Sequence, residues 1–246
     1  MSTNYTIMLP VANNLELAND CIKHLLRVSP FNIIVVDDFG KDENYVQNAR
    51  LQFIHLKPES RYGLSKLWNI CIKACPTQRI IMASWRPRPT PEHFEKIHKY
   101  LDDNYGMVAL ETLHFFARDK RLFGEMGMFD EGFLQGQFED TDFFNRFYMN
   151  NIAMYVSNEI PEKPYPTMWS NGSINKAYFD TKWKEDGNTL IQFKEEVNIS
   201  DRLLFPNEPR IEFRSFEDSI LMDSNLSNYY KRYYIKEKRF DSSTNI

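Results

Sequence analysis

The stretch FNIIVVDDFG, residues 31–40, decides the fold class. Its first six residues form a β-branched, apolar run without alternation, which is typical of a strand that is covered on both faces. A helical pattern over 15–28 precedes it and ends at Ser29-Pro30, and the polar turn Asp37–Gly40 follows it. A doubly covered strand that follows a helix indicates an α/β protein.

Strand and helix patterns alternate on both sides of this stretch over the first hundred residues. Short connections between alternating elements predict a mostly parallel sheet flanked by helices, with right-handed crossovers. The predicted strands cover 5–9 (ended by Pro10), 31–36, 51–56, 79–83, 107–110 and 114–117, and the predicted helices cover 15–28, 64–74, 91–101 and a segment that begins near Glu139.

The last third of the chain has a different character. Residues 157–246 are less periodic and rich in Asn, Tyr and charge, and neither a linker nor an internal repeat separates them from the rest. We therefore expect a core over 1–156 and a less regular C-terminal extension over 157–246 that packs on it.

Composition narrows the possible partners. With 42% hydrophobic and 26% charged residues the chain is expected to fold around a packed core, and its net charge of -4 gives no basic excess for nucleic acid. It has neither a signal-peptide pattern nor a run of 18 apolar residues, so no membrane span is expected. The three cysteines, Cys21, Cys71 and Cys75, fit a reducing compartment, and we expect a cytoplasmic protein.

Polar residues stand where three predicted strands end, which is where ligands bind to parallel sheets. They are Pro10 to Asn13, Asp37-Asp38 and Ser84-Trp85-Arg86. The adjacent carboxylates of Asp37 and Asp38 can accept hydrogen bonds from a nucleotide base or a ribose hydroxyl. The alternative is that they cap a helix or make an Asx turn.

An acidic run, Phe138-Glu139-Asp140-Thr141-Asp142, precedes the apolar pair Phe143-Phe144. Three carboxylates crowded into four residues and partly buried should raise at least one pKa, which suits a general base. The alternative is that these acids only favour the first turn of a helix.

Over about residues 5–156 the chain resembles the GT-A glycosyltransferases, particularly the inverting family 2. The resemblance rests on five motifs in chain order: Ile7 to Asn13, Ile33 to Asp38, Arg61-Tyr62-Gly63 through Trp68-Asn69, Gly127 to Glu131 with Phe133, and Glu139-Asp140 with Arg146.

The resemblance implies transfer of a sugar from a nucleotide-diphosphate sugar to the hydroxyl of a glycan or glycoside. A UDP-sugar is favoured, and a GDP- or TDP-sugar is the alternative. Asp140 is then the catalytic base, with Glu139 beside it. The implied donor-binding residues are Pro10, Asn13, Asp37, Asp38, Arg61, Gly63, Lys66, Asn69, Ser84, Trp85 and Arg86. The implied acceptor-side residues, to which the extension contributes, are Phe129, Asp130, Asp142, Trp169, Lys176, Tyr178, Lys182 and Trp183.

One position departs from the family. Family 2 enzymes usually carry Asp-x-Asp after the fourth strand to hold Mn²⁺ or Mg²⁺ against the diphosphate, but this chain has Ser84-Trp85-Arg86 there. A hard divalent cation prefers carboxylate oxygens, whereas a guanidinium pairs directly with phosphate. Arg86, with Arg88, would then replace the metal.

Other interpretations stay open. The chain could be a degenerate nucleotide-sugar-binding protein or a partner subunit, and the two arginines could be surface residues of a Pro-rich loop. A sugar-phosphate nucleotidyltransferase is disfavoured because residues 10–14 contain no glycine. His114, alone in a strand pattern, is expected to be structural.

Overall fold

A computed structural model describes most of the core and parts of the C-terminal third. The described residues are 5–11, 15–38, 44–56, 63–111, 114–131, 133, 137–149, 152–162, 175–176, 179, 183–186 and 190–193.

A seven-stranded sheet forms the centre of the molecule, with the strand order β3-β2-β1-β4-β6-β5-β7. All neighbouring strands in it are parallel except β6, which is antiparallel to β4 and to β5. The strands β8 and β9 form a separate antiparallel pair. The bounds are β1 Tyr5–Val11, β2 Asn32–Asp37, β3 Leu51–His55, β4 Arg79–Ala83, β5 Met107–Glu111, β6 Phe115–Asp119, β7 Met154–Val156, β8 Trp183–Asp186 and β9 Leu190–Phe193.

Helices cover both faces of the sheet. The bounds are α1 Leu15–Val28, α2 Leu64–Ala74, α3 Pro91–Asp102, α4 Arg121–Met126 and α5 Glu139–Met149. Successive strand residues point to opposite faces, so Ile7 packs with α1 and α3 in one core whereas Met8 packs with α2, α4 and α5 in the other. This arrangement confirms the predicted α/β fold. No helix among the described residues is long and apolar enough to cross a membrane.

The first strand is longer than predicted. Pro10 was expected to end it, but β1 continues to Val11, and Pro10 lies opposite Val36 of β2. The pairing of β1 with β4 ends at Met8 and Met82. Pro10 therefore lies where β1 has only one partner strand, and its missing N–H breaks no ladder on the other side.

Four elements escaped prediction because they are short. The helix α4 has six residues, β7 has three, and β8 and β9 have four each. A segment of this length shows at most two full periods of a helix or strand pattern, so only its neighbours in the fold identify it. The chain past residue 156 also continues along the core, since Ile160 is buried and the N–H of Glu159 donates to Leu110 O at 3.0 Å.

The strand ends are joined by backbone hydrogen bonds along one edge of the sheet. Asp38 N donates to Val11 O at 2.9 Å, Leu56 N donates to Asp37 O at 2.9 Å, and Ser84 N donates to His114 O at 2.7 Å. These bonds fix the carboxyl ends of β1, β2, β3 and β4, together with the residue before β6, at one edge.

Gly106, which precedes β5, provides a test of this packing. A Cβ at Gly106 would lie 2.2 Å from Ile152 Cγ2, because Gly106 N is bonded to Ala153 O at 2.8 Å. We expect Gly106→Ala to lower the free energy of unfolding by about 1–3 kcal/mol, as overpacking does. Urea denaturation measures this loss. In an Ile152→Ala background, which removes Cγ2, the loss should be smaller, and an equal loss in both backgrounds would contradict the packing described.

Candidate active site

The two aspartates after β2 have different surroundings. Asp37 is buried, and its Oδ2 lies 3.0 Å from His55 Nδ1 at the end of β3, whose side chain is half exposed. Asp38 is also buried and is close enough to the Lys66 ammonium to affect its pKa. Asp37 therefore orients a histidine that the sequence analysis had not singled out.

Lys66 lies beneath the strand ends, in the first turn of α2. Only 1% of the residue is exposed. Burial lowers the pKa of Lys66 to about 8, and the charges of Glu131 and Asp38 oppose that change. The ammonium thus faces two buried carboxylates that belong to different segments, one after β2 and one on the predicted acceptor side.

Asn69, one turn further along α2, fastens the 127–131 segment. Its Nδ2 donates to Phe129 O and to Glu131 Oε1, both at 2.9 Å, and its Oδ1 accepts from Phe129 N at 2.9 Å. From its sequence context, Asn69 was expected to lie beside the diphosphate. In the structure both ends of its buried amide bind this segment instead, so it supports the site from within the protein.

A second anchor of the same segment comes from α5. Arg146 Nη1 donates to Met128 O at 2.5 Å, and its Nη2 lies 3.1 Å from Asp142 Oδ2. Phe129, Asp130 and Asp142, which were predicted to contact the acceptor, are all fully buried. They therefore do not line an open surface, and they lie beneath the side that was predicted to bind the acceptor.

The turn before α5 has unusual backbone geometry. Gln137 and Phe138 both have positive φ, 83° and 69°. The carboxylate of Glu139 accepts hydrogen bonds from the backbone N–H groups of Gln137 and of Glu139 itself. Burial, with the nearby charges of Asp140 and Asp142, nevertheless raises the pKa of Glu139 to about 8. Glu139 is therefore mostly neutral at pH 7.

Asp140 is the accessible acid of the run. It is partly exposed, whereas Glu139 and Asp142 are buried. Its Oδ1 accepts hydrogen bonds from Thr141 N at 2.8 Å and from the Thr141 hydroxyl at 3.3 Å. Of the three crowded carboxyl groups, Asp140 is the one that a substrate can reach.

Arg86 lies in a charged cluster at the end of β4. Its Nη2 is 3.0 Å from Glu162 Oε2, and the other oxygen of Glu162 is 3.0 Å from His114 Nδ1. The Ser84 hydroxyl lies 3.3 Å from the same His114 nitrogen. Arg86 keeps one third of its side chain exposed, so a bound anion would compete with Glu162 for it.

The titration of His114 connects this cluster to the acidic run. Burial lowers the pKa of His114, Glu162 and Asp140 act to raise it, and Arg86 acts to lower it. Burial also raises the pKa of Glu111, with the charge of Glu162 adding to the effect. The charges of Arg86 and Asp140 therefore act on the pKa of the same imidazole, in opposite directions.

Arg88 has a different task from Arg86. Its Nη1 donates to the carbonyl oxygens of Trp85, Arg86 and Pro87 at 2.9 to 3.1 Å, and its Nη2 pairs with Asp20 at 2.5 Å. Arg88 thus holds the loop, and Arg86 is the arginine whose head group lies in the cluster.

Ser84, Trp85 and Arg86, which were predicted to stand in place of Asp-x-Asp, do not suit a divalent cation. Within the described ranges, no group of three His, Cys, Asp or Glu side chains could hold a metal ion. A guanidinium at the third position would repel a cation, and the nearest carboxylate, Glu162, already pairs with it. The described residues therefore fit an anion better than a metal.

Two residues of the C-terminal extension reach the acidic run. Asn175 Nδ2 donates to Gln137 O at 3.1 Å, and the ring of Phe179 lies 5.5 Å from that of Phe138. Lys176 is exposed beside Asn175. Of the other predicted site residues, Asn13, Arg61, Trp169, Tyr178 and Lys182 lie outside the described residues, and the structure describes only the backbone of Trp183, in β8.

Several residues of the site were not found from the sequence. His55 and Glu162 were not singled out for any role, and His114 was expected to be structural. Asn175 belongs to a segment, 175–179, that resembles a family segment near the pocket, but it was given no role of its own. Glu131 lay within a quoted motif, but without a role. Each has its partner far away in the sequence, and no local pattern encodes such a contact.

The raised pKa of Glu139 predicts a pH-dependent stability. Its ordinary pKa is 4.5, so between pH 4.5 and 8 the folded protein keeps a proton that the unfolded chain loses. The stability that this carboxyl group contributes is complete below that window and is lost as the pH rises through it. Glu139→Gln has no such proton. Its free energy of unfolding, relative to that of wild type, should therefore increase by up to about 1.4 kcal/mol for each unit by which the pH rises within this window.

Urea denaturation at pH 5, 6, 7 and 8 measures this effect, with Glu95→Gln on the exposed side of α3 as the matched control. The control should follow the wild-type profile. Parallel profiles for Glu139→Gln and wild type would show that Glu139 is ionised in the folded protein.

Known proteins resemble the chain in sequence pattern and in fold. The model of the family "Glycosyl transferase family 2" matches residues 6–154, more than half of the chain. No curated protein matches its sequence. S. aureus TarS 1-349 has a similar fold, with a TM-score of 0.56 and 12% identity over 97% of this chain and 90% of that one. TarS in complex with UDP-GlcNAc gives the same values.

The mannosyltransferase PcManGT from Pyrobaculum calidifontis, in complex with GDP-Man and Mn²⁺, is also similar. Its TM-score is 0.54 at 12% identity, over 72% of this chain, which spans 62% of the length of that protein. At this identity the two structures support the GT-A fold alone. The family match supports the function class: the chain belongs to glycosyltransferase family 2.

Proposed function

We propose that this protein is an inverting glycosyltransferase that moves a sugar from a nucleotide-diphosphate sugar to a hydroxyl of a glycan or glycoside. The observation that carries the proposal is the position of one accessible carboxylate, Asp140, beside the buried Glu139 at the start of α5, where burial raises the pKa of Glu139 to about 8. A neutral neighbour leaves Asp140 as the carboxylate that can take a proton from a bound hydroxyl.

The proposed reaction is a single displacement. The acceptor hydroxyl gives its proton to Asp140 while its oxygen forms a bond to the anomeric carbon. The bond from that carbon to the diphosphate oxygen breaks on the opposite face, and its electron pair leaves with the nucleoside diphosphate. One substitution from the opposite face inverts the anomeric configuration. The protein contributes positioning, a base and stabilisation of the leaving charge.

The donor is proposed to lie along the strand ends, with its base and ribose over Pro10, Asn13 and Asp38. Asp37 supports that end of the site by orienting His55. A UDP-sugar is the favoured donor. The complexes of the similar structures, one with UDP-GlcNAc and one with GDP-Man, support a nucleotide sugar in general.

The diphosphate is proposed to bind Arg86, next to Ser84 and Trp85, without a metal. Arg86 stands in place of the last acid of Asp-x-Asp, and a guanidinium can pair directly with phosphate oxygens. Arg61 and Gly63 are further proposed contacts. In exchange for the phosphate, Glu162 would release Arg86 and stay close to His114.

The acceptor is proposed to bind between the 127–131 segment and the C-terminal extension. Asn175 and Phe179 bring that extension to the acidic run, which supports the assignment of the acceptor side to it. Lys176 is exposed there, and Trp169, Tyr178, Lys182 and Trp183 are the remaining proposed contacts.

A second candidate function is nucleotide-sugar binding without catalysis, as a degenerate enzyme or a partner subunit. The ion pair between Arg86 and Glu162 favours it, because a neutralised arginine would stabilise a leaving diphosphate less. Release of nucleoside diphosphate only when an acceptor is added would exclude this candidate.

The role of Asp140 predicts the behaviour of Asp140→Asn. The amide cannot take the proton from the acceptor hydroxyl. We therefore expect kcat to fall by roughly 10²- to 10⁴-fold or more, since a general base contributes that much to the rate. Donor affinity, measured by calorimetry, should stay at the wild-type value. Nucleoside diphosphate release measures kcat, with Asp103→Asn, an exposed residue after α3, as the control. If Asp140→Asn kept full activity, Asp140 could not be the base.

The role of Arg86 predicts how nucleotides stabilise the protein. A donor at 100 times its Kd should stabilise the fold by about 2.7 kcal/mol, a rise in Tm of roughly 5 to 10 °C for a protein of this size. UDP, GDP, TDP and their sugars are each tested with Mn²⁺ or with EDTA. The shift should survive EDTA and should be lost in Arg86→Gln.

Arg121→Gln is the matched control. Arg121 comes just after β6, at the end of the sheet opposite to the proposed site, and its side chain is largely exposed. It should keep the full shift. A shift that requires Mn²⁺ would show that metal ligands lie elsewhere in the chain, and would contradict the role of Arg86.

A further inference from the structure

Asn175 is a buried polar side chain that the proposed reaction does not use. It has no exposed surface, and its Nδ2 donates to the backbone oxygen of Gln137 at 3.1 Å. It lies 38 residues further along the chain than Gln137. This bond fastens the C-terminal extension to the turn before α5.

The turn that it contacts has a conformation that side-chain-bearing residues rarely adopt. Both Gln137 and Phe138 have left-handed backbone angles, with φ of 83° and 69°. Such angles crowd the Cβ atom against the backbone and persist where the surroundings hold them. Among the described residues the other non-glycine case is Asn104, a residue type that tolerates this region better.

The directions in which the side chains of Glu139 and Asp140 point depend on this turn. The N–H groups of Gln137 and Glu139 both face the Glu139 carboxylate, and Asp142 N donates to Phe138 O at 2.9 Å to close the first turn of α5. Relaxation of φ at 137 or 138 would therefore rotate Glu139 and Asp140 away from their present directions.

Phe179 contacts the second residue of the turn. Its ring, which is buried, lies 5.5 Å from the ring of Phe138 and 6.4 Å from that of Phe133. One short segment of the extension thus holds Gln137 by a hydrogen bond and Phe138 by ring packing.

We propose that Asn175, supported by Phe179, is a positioning residue that holds the left-handed turn and so aims Asp140 at the acceptor hydroxyl. The inference rests on the proposed transfer reaction. Loss of the Asn175 side chain should lower kcat and leave donor binding unchanged, because the strand ends proposed to bind the donor are fixed by backbone hydrogen bonds of their own.

The test measures kcat and donor Kd for Asn175→Ala in the full chain. A misplacement of the base by about 1 Å can cost roughly 100-fold in rate, so we expect a loss in kcat of that order with an unchanged donor Kd. The control is Asn48→Ala, which also removes a hydrogen bond between an amide side chain and the backbone, at 3.0 Å to Arg50 N ahead of β3. It should keep the wild-type kcat.

A double-mutant cycle separates positioning from a general loss of structure. Glycine adopts positive φ about as readily as negative φ, so in a Gln137→Gly background the turn has less tendency to relax when its anchor is removed. The loss in kcat caused by Asn175→Ala should therefore be smaller in that background than in wild type. An equal loss in both backgrounds, or no loss in either, would overturn the proposal.

Hydrogen exchange of the Asp142 amide gives a second measurement that needs no turnover. Asn175→Ala should speed its exchange, because the acceptor of that amide is Phe138 O. If wild type itself transfers no sugar, the proposed function fails, and exchange alone then decides whether Asn175 holds the turn. Unchanged exchange in Asn175→Ala would overturn the proposal even where the function stands.

Discussion

The Asn69 amide forms three hydrogen bonds that join α2 to the 127–131 segment, and the proposed donor and acceptor sides of the site depend on them. This segment, which follows α4, has no regular secondary structure of its own. Its backbone N–H and C=O groups therefore need hydrogen-bond partners in other parts of the protein. One turn earlier on α2, Lys66 faces Asp38 and Glu131. A single helix thus connects the strand ends, where a nucleotide is proposed to bind, with the proposed acceptor side. Asp38, which was predicted to contact the nucleotide, is accordingly buried beside Lys66.

Charge balance organises the rest of the site. Burial keeps Glu139 neutral near pH 7, which leaves Asp140 as the accessible acid of its run. At the end of β4, Arg86 shares Glu162 with His114, and Asp140 acts on the same imidazole. An anion that bound Arg86 would change the charge felt by His114. Arg86, proposed to bind the donor, and Asp140, proposed to act on the acceptor, therefore both affect the pKa of His114.

The sequence predicted those parts of the structure that local patterns encode. The bounds of α1, α2 and β4 agree residue for residue with the periodic and apolar runs. The paired Asp37-Asp38 and the acidic run stood out because each adjoins such a run. Which acid is buried, and that Glu162 and Asn175 reach the site, depends on contacts between distant segments. Pro10 was misjudged for the same reason, since its place in β1 depends on where β4 stops pairing.

The stereochemistry of transfer distinguishes the proposed single displacement from a mechanism that retains the anomeric configuration. A donor that stabilises the protein is incubated with an acceptor glycoside, and proton NMR records the anomeric coupling of the new linkage before any rearrangement. A single displacement assisted by Asp140 predicts that an α-linked donor gives a β-linked product. A product that keeps the donor configuration would exclude this mechanism, because Asp140 could not then act only as a base opposite the leaving diphosphate.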